Sequence, residues 1–279
     1  MDDHTFVFVG GLHRSGTSVL SRCLAEHPMV SGFFGTGVPE DEGQHLQSVF
    51  PAAMEHGGPG RFGFDPASHL TEASPLATQA SAARLLGEWS RHWDMSRPFL
   101  LEKSPPNLVR TRLLRALFPA SRFVMVIRDP IVVAGATRKW SHTSEISLIE
   151  HWLACYEQLL EDAPHVDELI LIRYEDLTTD PEQVLAGVFG WLGLESPAEV
   201  GKAVRRSLND RYFEAWDRRR SAWWRYRAYN RGIDRLEARV RRFGYSLSSP
   251  GAPSDHLPVG HGWKTLPSSS SVILSAENP

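Results

Sequence analysis

Short apolar runs alternate along the chain with longer segments in which apolar residues recur every three or four positions. The runs have the length and the β-branched or aromatic content of strands and cover Thr5–Val9, Pro98–Lys103, Arg122–Ile127 and Glu168–Arg173. The periodic segments are typical of helices and cover about Ser15–Glu26, Leu108–Leu117, Ile131–Trp140, Ser144–Glu161 and Pro181–Leu192. Strands alternating with helices predict an α/β domain with a mainly parallel sheet flanked by helices, in which ligands bind at the carboxyl ends of the strands.

Three segments depart from this alternation. Gly32–Arg61 is rich in glycine, proline and acidic residues and predicts a long loop with a short helix. Arg205–Arg242 holds 13 arginines against 5 acidic residues and predicts a basic helical segment, either a solvated helix face or a clamp over bound phosphates. Residues 246–279 are rich in serine and proline and lack periodicity, so we expect a domain over 1–245 followed by an irregular tail.

Composition excludes several classes of protein. The net charge of −3 disfavours a nucleic-acid partner, and no apolar stretch approaches the roughly 20 residues of a membrane-spanning helix. The 12 histidines show no metal-ligand spacing, so no metal is expected. Cys23 and Cys155 lie among apolar residues, which indicates reduced core thiols. With no signal-peptide pattern at the N-terminus, we expect a cytoplasmic location. The sequence does not indicate an oligomeric state.

The loop after the first strand has the G-x-x-x-x-G frame of a phosphate loop. Glycines let the backbone turn so that successive N–H groups point at phosphate oxygens, and the following helix adds the positive end of its dipole. Loops that bind nucleoside triphosphates continue with lysine and then serine or threonine. This chain has Thr17 and Ser18 there, and its cation, Arg14, lies inside the loop. The pattern therefore favours a different anion.

The segment Gly11–Ser18, which reads G-L-H-R-S-G-T-S, resembles the 5′-phosphosulfate loop of sulfotransferases that use 3′-phosphoadenosine 5′-phosphosulfate (PAPS). The similarity is greatest to their bacterial, tyrosylprotein and glycan branch. It implies a P-loop-type fold and a reaction that needs no metal. It also implies that the 5′-phosphosulfate is held by Arg14, Ser15, Gly16, Thr17 and Ser18. Arg14 would further stabilise the charge that develops on the bridging oxygen.

Arg128, at the end of the third predicted strand, matches the arginine that this family uses to bind the 3′-phosphate. The alternative is a surface ion pair between Arg128 and Asp129. The family has a serine eight residues later, where this chain has Ala136 followed by Thr137. Whether Thr137 replaces that serine is open at the level of sequence.

Two further segments resemble family motifs. Leu101–Pro105 is similar to an E-K-x-P segment, which implies that Lys103 faces the reaction centre, although a solvated lysine at a strand end is the alternative. Arg173–Leu177 is similar to a Y-E-D-L element, which implies that Tyr174 packs near the adenosine of the nucleotide. A purely structural tyrosine at a sheet edge is equally compatible with the pattern.

The acceptor's proton requires a base, and the family takes a glutamate from the segment after the first helix. The matching stretch is Pro39–His45, from which we select Glu42, with Asp41 and His45 as alternatives. The function implied is transfer of a sulfuryl group from PAPS to a hydroxyl of a small molecule or carbohydrate. The alternatives are a P-loop nucleotide kinase or triphosphatase and a non-catalytic protein that binds PAPS or its desulfated form, 3′-phosphoadenosine 5′-phosphate (PAP).

Overall fold

Five parallel strands form the centre of the fold in a computed structural model of the chain, which describes residues 4–202, 204, 209–222, 227–251, 253–254, 257, 263–265 and 272–274. The strands are β1 (Thr5–Gly11), β2 (Val30–Ser31), β3 (Phe99–Lys103), β4 (Ser121–Ile127) and β5 (Leu169–Arg173). Their order in the sheet is β2-β3-β1-β4-β5. The four strands expected from the sequence are confirmed, while the two residues of β2 are too few to produce a recognisable pattern.

Helices cover both faces of the sheet. They are α1 (Thr17–Ala25), α2 (Gln79–Trp89), α3 (Thr111–Leu117), α4 (Pro130–Ser141), α5 (Glu145–Asp162), α6 (Tyr174–Thr179), α7 (Pro181–Leu192), α8 (Asp210–Ser221) and α9 (Arg227–Arg241). Alternate residues of β1 enter different cores: Phe6 and Phe8 pack in the core that includes α2, α3 and α5, whereas Val7 and Val9 pack in the core that includes α1 and α7. Burial on both faces explains why the strands read as continuous apolar runs.

The register of the parallel strands brings their carboxyl ends to one edge of the sheet. Val9 of β1 pairs with Lys103 of β3, and Gly11 pairs with Val126 of β4. On the far side of β4, Ile127 pairs with Arg173 of β5. The segments that leave β1, β3, β4 and β5 therefore start side by side, and these segments carry the motifs found in the sequence.

Two predicted helical segments differ in the structure. The helix expected over Leu108–Leu117 is divided: its first two residues belong to a 3₁₀ turn, Pro105–Val109, and α3 begins at Thr111, because Arg110 between them has a φ of −131° and a ψ of 10°, outside the helical region. The Gly32–Arg61 loop holds three 3₁₀ turns instead of one short helix: Pro39–Asp41, Gly43–His45 and Ala53–His56.

The basic segment is helical, as expected, and forms α8 and α9. Several of its arginines make ion pairs that attach these helices to α5: Arg219 contacts Glu145 at 2.6 Å, and Arg239 pairs with Glu157. Trp216 is buried, and its indole N–H donates to the carbonyl of Leu247. For these arginines a structural role replaces the suggested phosphate clamp.

The tail expected over 246–279 is not irregular throughout. It contributes β6 (Trp263–Thr265) and β7 (Val272–Leu274), which extend the sheet in antiparallel fashion beyond β5. Pairing with an open sheet edge depends on contacts about 100 residues apart, which local periodicity does not reveal. The boundary at residue 245 remains a prediction.

Candidate active site

The phosphate loop turns tightly because two of its glycines occupy positions that a side chain would block. A Cβ atom on Gly11 would lie 2.6 Å from the carbonyl oxygen of Val126, and one on Gly16 would lie 2.2 Å from the ring of Tyr174. Gly16 has a φ of 109° and precedes α1 without any side-chain cap. The first N–H groups of α1 are thus left to bind an anion, with the helix dipole in support.

Arg14 and Arg128 line the same cavity, which has a volume of about 210 Å³. Arg14 has a φ of 71° and an exposed side chain, whose guanidinium lies 5.3 Å from the ring centre of Trp140. Arg128 is directed toward the phosphate loop, and its Nη1 donates to the carbonyl of Arg14 at 2.9 Å. Its Nη2 donates to Oδ1 of Asn209 at 2.5 Å. Two cations from the ends of two strands therefore face one site.

Tyr174, the first residue of α6, connects the loop to Arg128. Its ring fills the space left by the missing side chain of Gly16, and the guanidinium of Arg128 lies 4.1 Å from the ring centre. Burial lowers the pKa of Arg128, while nearby Tyr174 and Glu175 oppose this shift. Tyr174 also lines the cavity, so it is available to a bound ligand as well as to the packing.

Of the remaining loop residues, Thr17 and Ser18 line the cavity, together with Gly16. Ser15 does not, because its buried side chain is directed toward Gly11, where an added Cβ would lie 2.7 Å from Oγ. Its backbone N–H is also occupied, since it donates to the carbonyl of Leu12 at 3.0 Å. The structure therefore assigns Ser15 to the support of the loop rather than to its ligand face.

Lys103 and Glu42 form a buried ion pair at the floor of the site. Nζ of Lys103 lies 3.3 Å from Oε1 of Glu42 and donates to the carbonyl of Glu40 at 2.7 Å. The side chain of Lys103 is only 5% exposed, which rules out the solvated strand-end lysine. Glu42 lines the cavity with Arg14, and its Oε2 lies 3.8 Å from Nε2 of His45.

Asp41, an alternative base, is engaged elsewhere. Its carboxylate accepts hydrogen bonds from the backbone N–H and the hydroxyl of Thr36 at 2.8 and 2.7 Å. The hydrogen bond from the hydroxyl is the main cause of its lowered pKa. A carboxylate whose charged form is stabilised in this way is a weaker base, so the geometry favours Glu42.

Glu102 supports the turn that follows Glu42, a role that the sequence did not reveal. Its buried carboxyl group accepts hydrogen bonds from Ser104 Oγ and Asn107 Nδ2, both at 2.6 Å. Its side chain packs against Gly43, where an added Cβ would lie only 2.4 Å away. Burial raises the pKa of Glu102 to about 7, although its hydrogen bonds act in the opposite direction. This packing fixes the turn after Glu42 against the end of β3.

Thr137 is not brought to the cavity that holds Arg128. It is 2% exposed and lines a separate space of about 10 Å³ with His13, Gly60 and His151. Its hydroxyl has no hydrogen-bond partner among the described residues. Thr137 and Arg128 thus line different cavities, so this arrangement does not favour Thr137 as a replacement for the family's serine, and that role stays a prediction.

Five further residues line the main cavity although the sequence did not single them out: His13, Val19, Glu40, Pro105 and Trp140. His13 lies within the loop motif itself, and burial, Lys103 and His45 lower its pKa to about 3. Trp140 was visible only as an aromatic residue at the end of a predicted helix. Its place beside Arg14 follows from the long-range arrangement of α4 against the loop.

A comparison with protein families identifies the family to which the chain belongs. A sequence profile described as the sulfotransferase family matches residues 7–198, which is more than half of the chain. The chain belongs to the sulfotransferase family. The match contains the phosphate loop, Glu42, Lys103, Arg128 and Tyr174. Family membership confirms the resemblance found in the sequence.

Two curated sulfotransferases to which the chain is similar share about a quarter of its residues in the matched region. The chain is 24% identical to protein-tyrosine sulfotransferase 2 from Gallus gallus over 209 residues, which cover 67% of the chain and 51% of the relative. It is 26% identical to omega-hydroxy-beta-dihydromenaquinone-9 sulfotransferase Stf3 from Mycobacterium bovis over 162 residues, 46% of the chain and 42% of the relative. The chain thus spans about half the length of these two proteins.

Among solved structures, sulfotransferase STF9 from Mycobacterium avium matches with a TM-score of 0.51 at 14% identity. The match covers 72% of the chain and 66% of STF9. At this identity the similarity shows the fold, and it confirms the α/β, P-loop-type fold expected from the sequence.

Membrane-spanning helices and metal-binding clusters are both absent from the described residues. None of their helices combines the length and apolar character needed to cross a membrane. No group of three or more histidine, cysteine, aspartate or glutamate side chains there could hold a metal ion. The cytoplasmic location expected from the sequence stays a prediction.

Proposed function

We propose that the chain transfers a sulfuryl group from PAPS to an acceptor hydroxyl. The observation that carries this proposal is the shared cavity of Arg14 and Arg128 beside the uncapped N-terminus of α1. PAPS has an anionic group at each end of its ribose, and a site with one cation near each end suits such a ligand.

In the proposed complex, the 5′-phosphosulfate lies against Arg14, Gly16, Thr17 and Ser18 at the start of α1. Arg128 binds the 3′-phosphate, and its planar guanidinium can donate to two phosphate oxygens at once. Tyr174, on which Arg128 stacks, packs near the adenosine. Thr137 has no part in this arrangement, since its buried side chain lines a separate space.

The chemical step needs an in-line acceptor oxygen, a base and stabilisation of the developing charge. Glu42 takes the proton from the acceptor hydroxyl, whose oxygen forms a bond to sulfur while the bond between sulfur and the bridging oxygen breaks. PAP leaves with the electron pair of the broken bond, and Arg14 stabilises the charge on its oxygen. Lys103, 3.3 Å from Glu42, neutralises the sulfuryl oxygens during transfer.

We further propose that the acceptor enters through a cleft that adjoins the donor cavity. Glu40 and Ser18 line both spaces, and Lys103 lines the cleft together with Phe33 and the exposed Phe34. The cleft thus has an aromatic wall and reaches Lys103, the ion-pair partner of Glu42. A hydroxylated small molecule or carbohydrate is the acceptor class that we favour.

The two alternatives make different demands on the site. A kinase or triphosphatase needs the loop lysine for its γ-phosphate, and this chain has Thr17 at that position. A non-catalytic binding protein would not need a carboxylate and an ammonium group side by side near the sulfuryl position. The buried Glu42–Lys103 pair therefore favours catalysis over simple binding.

The proposal is tested by ligand preference and by transfer. PAP should raise the melting temperature, whereas ATP with Mg²⁺ should not. Labelled PAPS should then transfer sulfate to members of a panel of hydroxylated metabolites and sugars. Stabilisation by ATP and Mg²⁺ alone would favour the kinase, and PAP binding without transfer to any acceptor would favour the non-catalytic protein.

The base is tested by Glu42→Gln. Loss of general base catalysis should lower kcat by about 100-fold or more while PAP affinity is kept. Glu195→Gln is the matched control, because Glu195 is exposed near His27, beyond the far end of α1 from the phosphate loop. A Glu42→Gln variant that turns over at the wild-type rate would place the base elsewhere.

A further inference from the structure

Glu40 occupies an unexpected place for an acidic residue, because its carboxylate lies inside the cavity proposed to bind an anion. Its Oε2 accepts a hydrogen bond from the hydroxyl of Ser18 at 3.2 Å. Ser18 is part of the phosphate loop, and Glu40 lines the same cavity as Arg14. The Glu40 carboxylate thus takes up a contact that the loop would otherwise offer to the nucleotide's 5′ end.

The backbone holds Glu40 in this place in an unfavourable conformation. Glu40 and Asp41 have φ values of 53° and 50°, in the left-handed region that residues with a Cβ rarely occupy. Two contacts secure the turn: Lys103 donates to the carbonyl of Glu40, and the Asp41 carboxylate binds Thr36. Strained residues that are held by their surroundings are often found at functional sites.

The charge of Glu40 is not neutralised by a salt bridge within the described chain. Lys103, the nearby ammonium group, contacts the backbone carbonyl of Glu40 and pairs with the carboxylate of Glu42. The Glu40 side chain is exposed, and a Cβ added at Gly35 or Gly37 nearby would meet nothing within 4 Å. A carboxylate in this situation repels an incoming phosphate or sulfate and has room to yield to it.

We infer that Glu40 competes with the nucleotide for the phosphate loop and thereby promotes release of the desulfated product. This inference rests on the proposed function. When PAP leaves, the Glu40 carboxylate returns to Ser18 and replaces the contact made by the 5′-phosphate. When PAPS binds, the carboxylate moves aside toward the acceptor cleft, which it also lines. Glu40 is thus a release residue, distinct from the base Glu42.

The inference predicts that removing the negative charge of Glu40 raises the affinity of the site for PAP. In Glu40→Gln, PAP should bind about fivefold more tightly, the ratio that corresponds to the ~1 kcal/mol repulsion of two unit charges about 4 Å apart in water. Adenosine 3′-phosphate lacks the 5′-phosphate, so it should bind with equal affinity to the wild type and to Glu40→Gln. The gain for PAP should shrink as salt is added, because salt screens exposed charges.

Isothermal titration calorimetry at low and high salt measures these affinities, with Glu40→Ala as a second variant and Glu195→Gln as the control. Glu195→Gln removes the same charge beyond the far end of α1 and should leave PAP affinity unchanged. If both Glu40 variants bound PAP as weakly as the wild type or more weakly, this inference would be overturned while the proposed function would stand. A wild-type protein that does not bind PAP would overturn the proposed function along with it.

Discussion

Replacing Gly16 of the phosphate loop with alanine should lower both the stability of the chain and its affinity for PAP. In Gly16→Ala the new Cβ would lie 2.2 Å from the Tyr174 ring, whereas ordinary carbon contacts begin near 3.4 Å, so the ring must move by more than 1 Å. Arg128 stacks on that ring and would be displaced with it. Because the ring and the guanidinium both face the donor cavity, the damage should reach the nucleotide site.

Two contributions set the expected magnitude for Gly16→Ala. Forcing a residue with a Cβ to a φ of 109° costs about 1–2 kcal/mol. Overpacking against Tyr174 costs about 1–3 kcal/mol more. The free energy of unfolding should therefore fall by about 2–5 kcal/mol, and the melting temperature of a chain this size by at least about 4 °C. PAP affinity should fall at least about tenfold.

Differential scanning calorimetry and PAP titration measure these effects, and Gly87→Ala is the matched control. Gly87 lies within α2, and an added Cβ there meets nothing within 4 Å. The same substitution should stabilise this helix by about 0.5–1 kcal/mol without changing PAP affinity. If Gly16→Ala melted and bound PAP like the wild type, the close packing of Tyr174 on the loop would be refuted.

Two further predictions concern charge. Burial, reinforced by the negative charge of Glu175, raises the pKa of the Asp129 carboxyl from 3.8 to about 7. The folded state therefore binds the proton of this carboxyl more tightly than the unfolded state does. Stability is consequently lost as the pH rises from about 4 to 7. Asp129→Asn should flatten the dependence of unfolding free energy on pH, measured by urea unfolding, and be more stable than the wild type by about 4 kcal/mol at pH 8. A pH dependence parallel to that of the wild type would contradict this. Trp140→Leu should weaken PAP binding about threefold in calorimetry, because it removes the aromatic ring on which the Arg14 guanidinium stacks. Trp191→Leu is the control, since it removes a ring that stacks on Arg122 instead, and it should leave PAP affinity unchanged. Equal PAP affinities in the two variants would exclude this role for Trp140.

The sequence was sufficient for the features that depend on local pattern. The apolar runs located β1, β3, β4 and β5, because strands buried on both faces leave a continuous signal. The glycine frame located the phosphate loop, because a tight turn between a strand and a helix has few sequence solutions. Arg14 and Arg128 then met at one cavity, since parallel strands end at one edge of the sheet.

Features that depend on packing between distant segments could not be read from the sequence. Glu102 looked like part of a motif, but its role arises from Gly43, 59 positions earlier, which packs on its side chain. Thr137 follows the family's serine position by one residue, and its side chain lines a different cavity from that of Arg128. The strands β6 and β7 likewise depend on the free edge of β5.

The central claim is that one nucleotide is held at its two ends by Arg14 and Arg128. It is tested most directly by titrating PAP into the wild type, Arg14→Ala and Arg128→Ala in a calorimeter. We expect each variant to bind at least about tenfold more weakly, because hydrogen bonds to charged groups contribute about 1.5–3 kcal/mol. Wild-type affinity in both variants would contradict the claim.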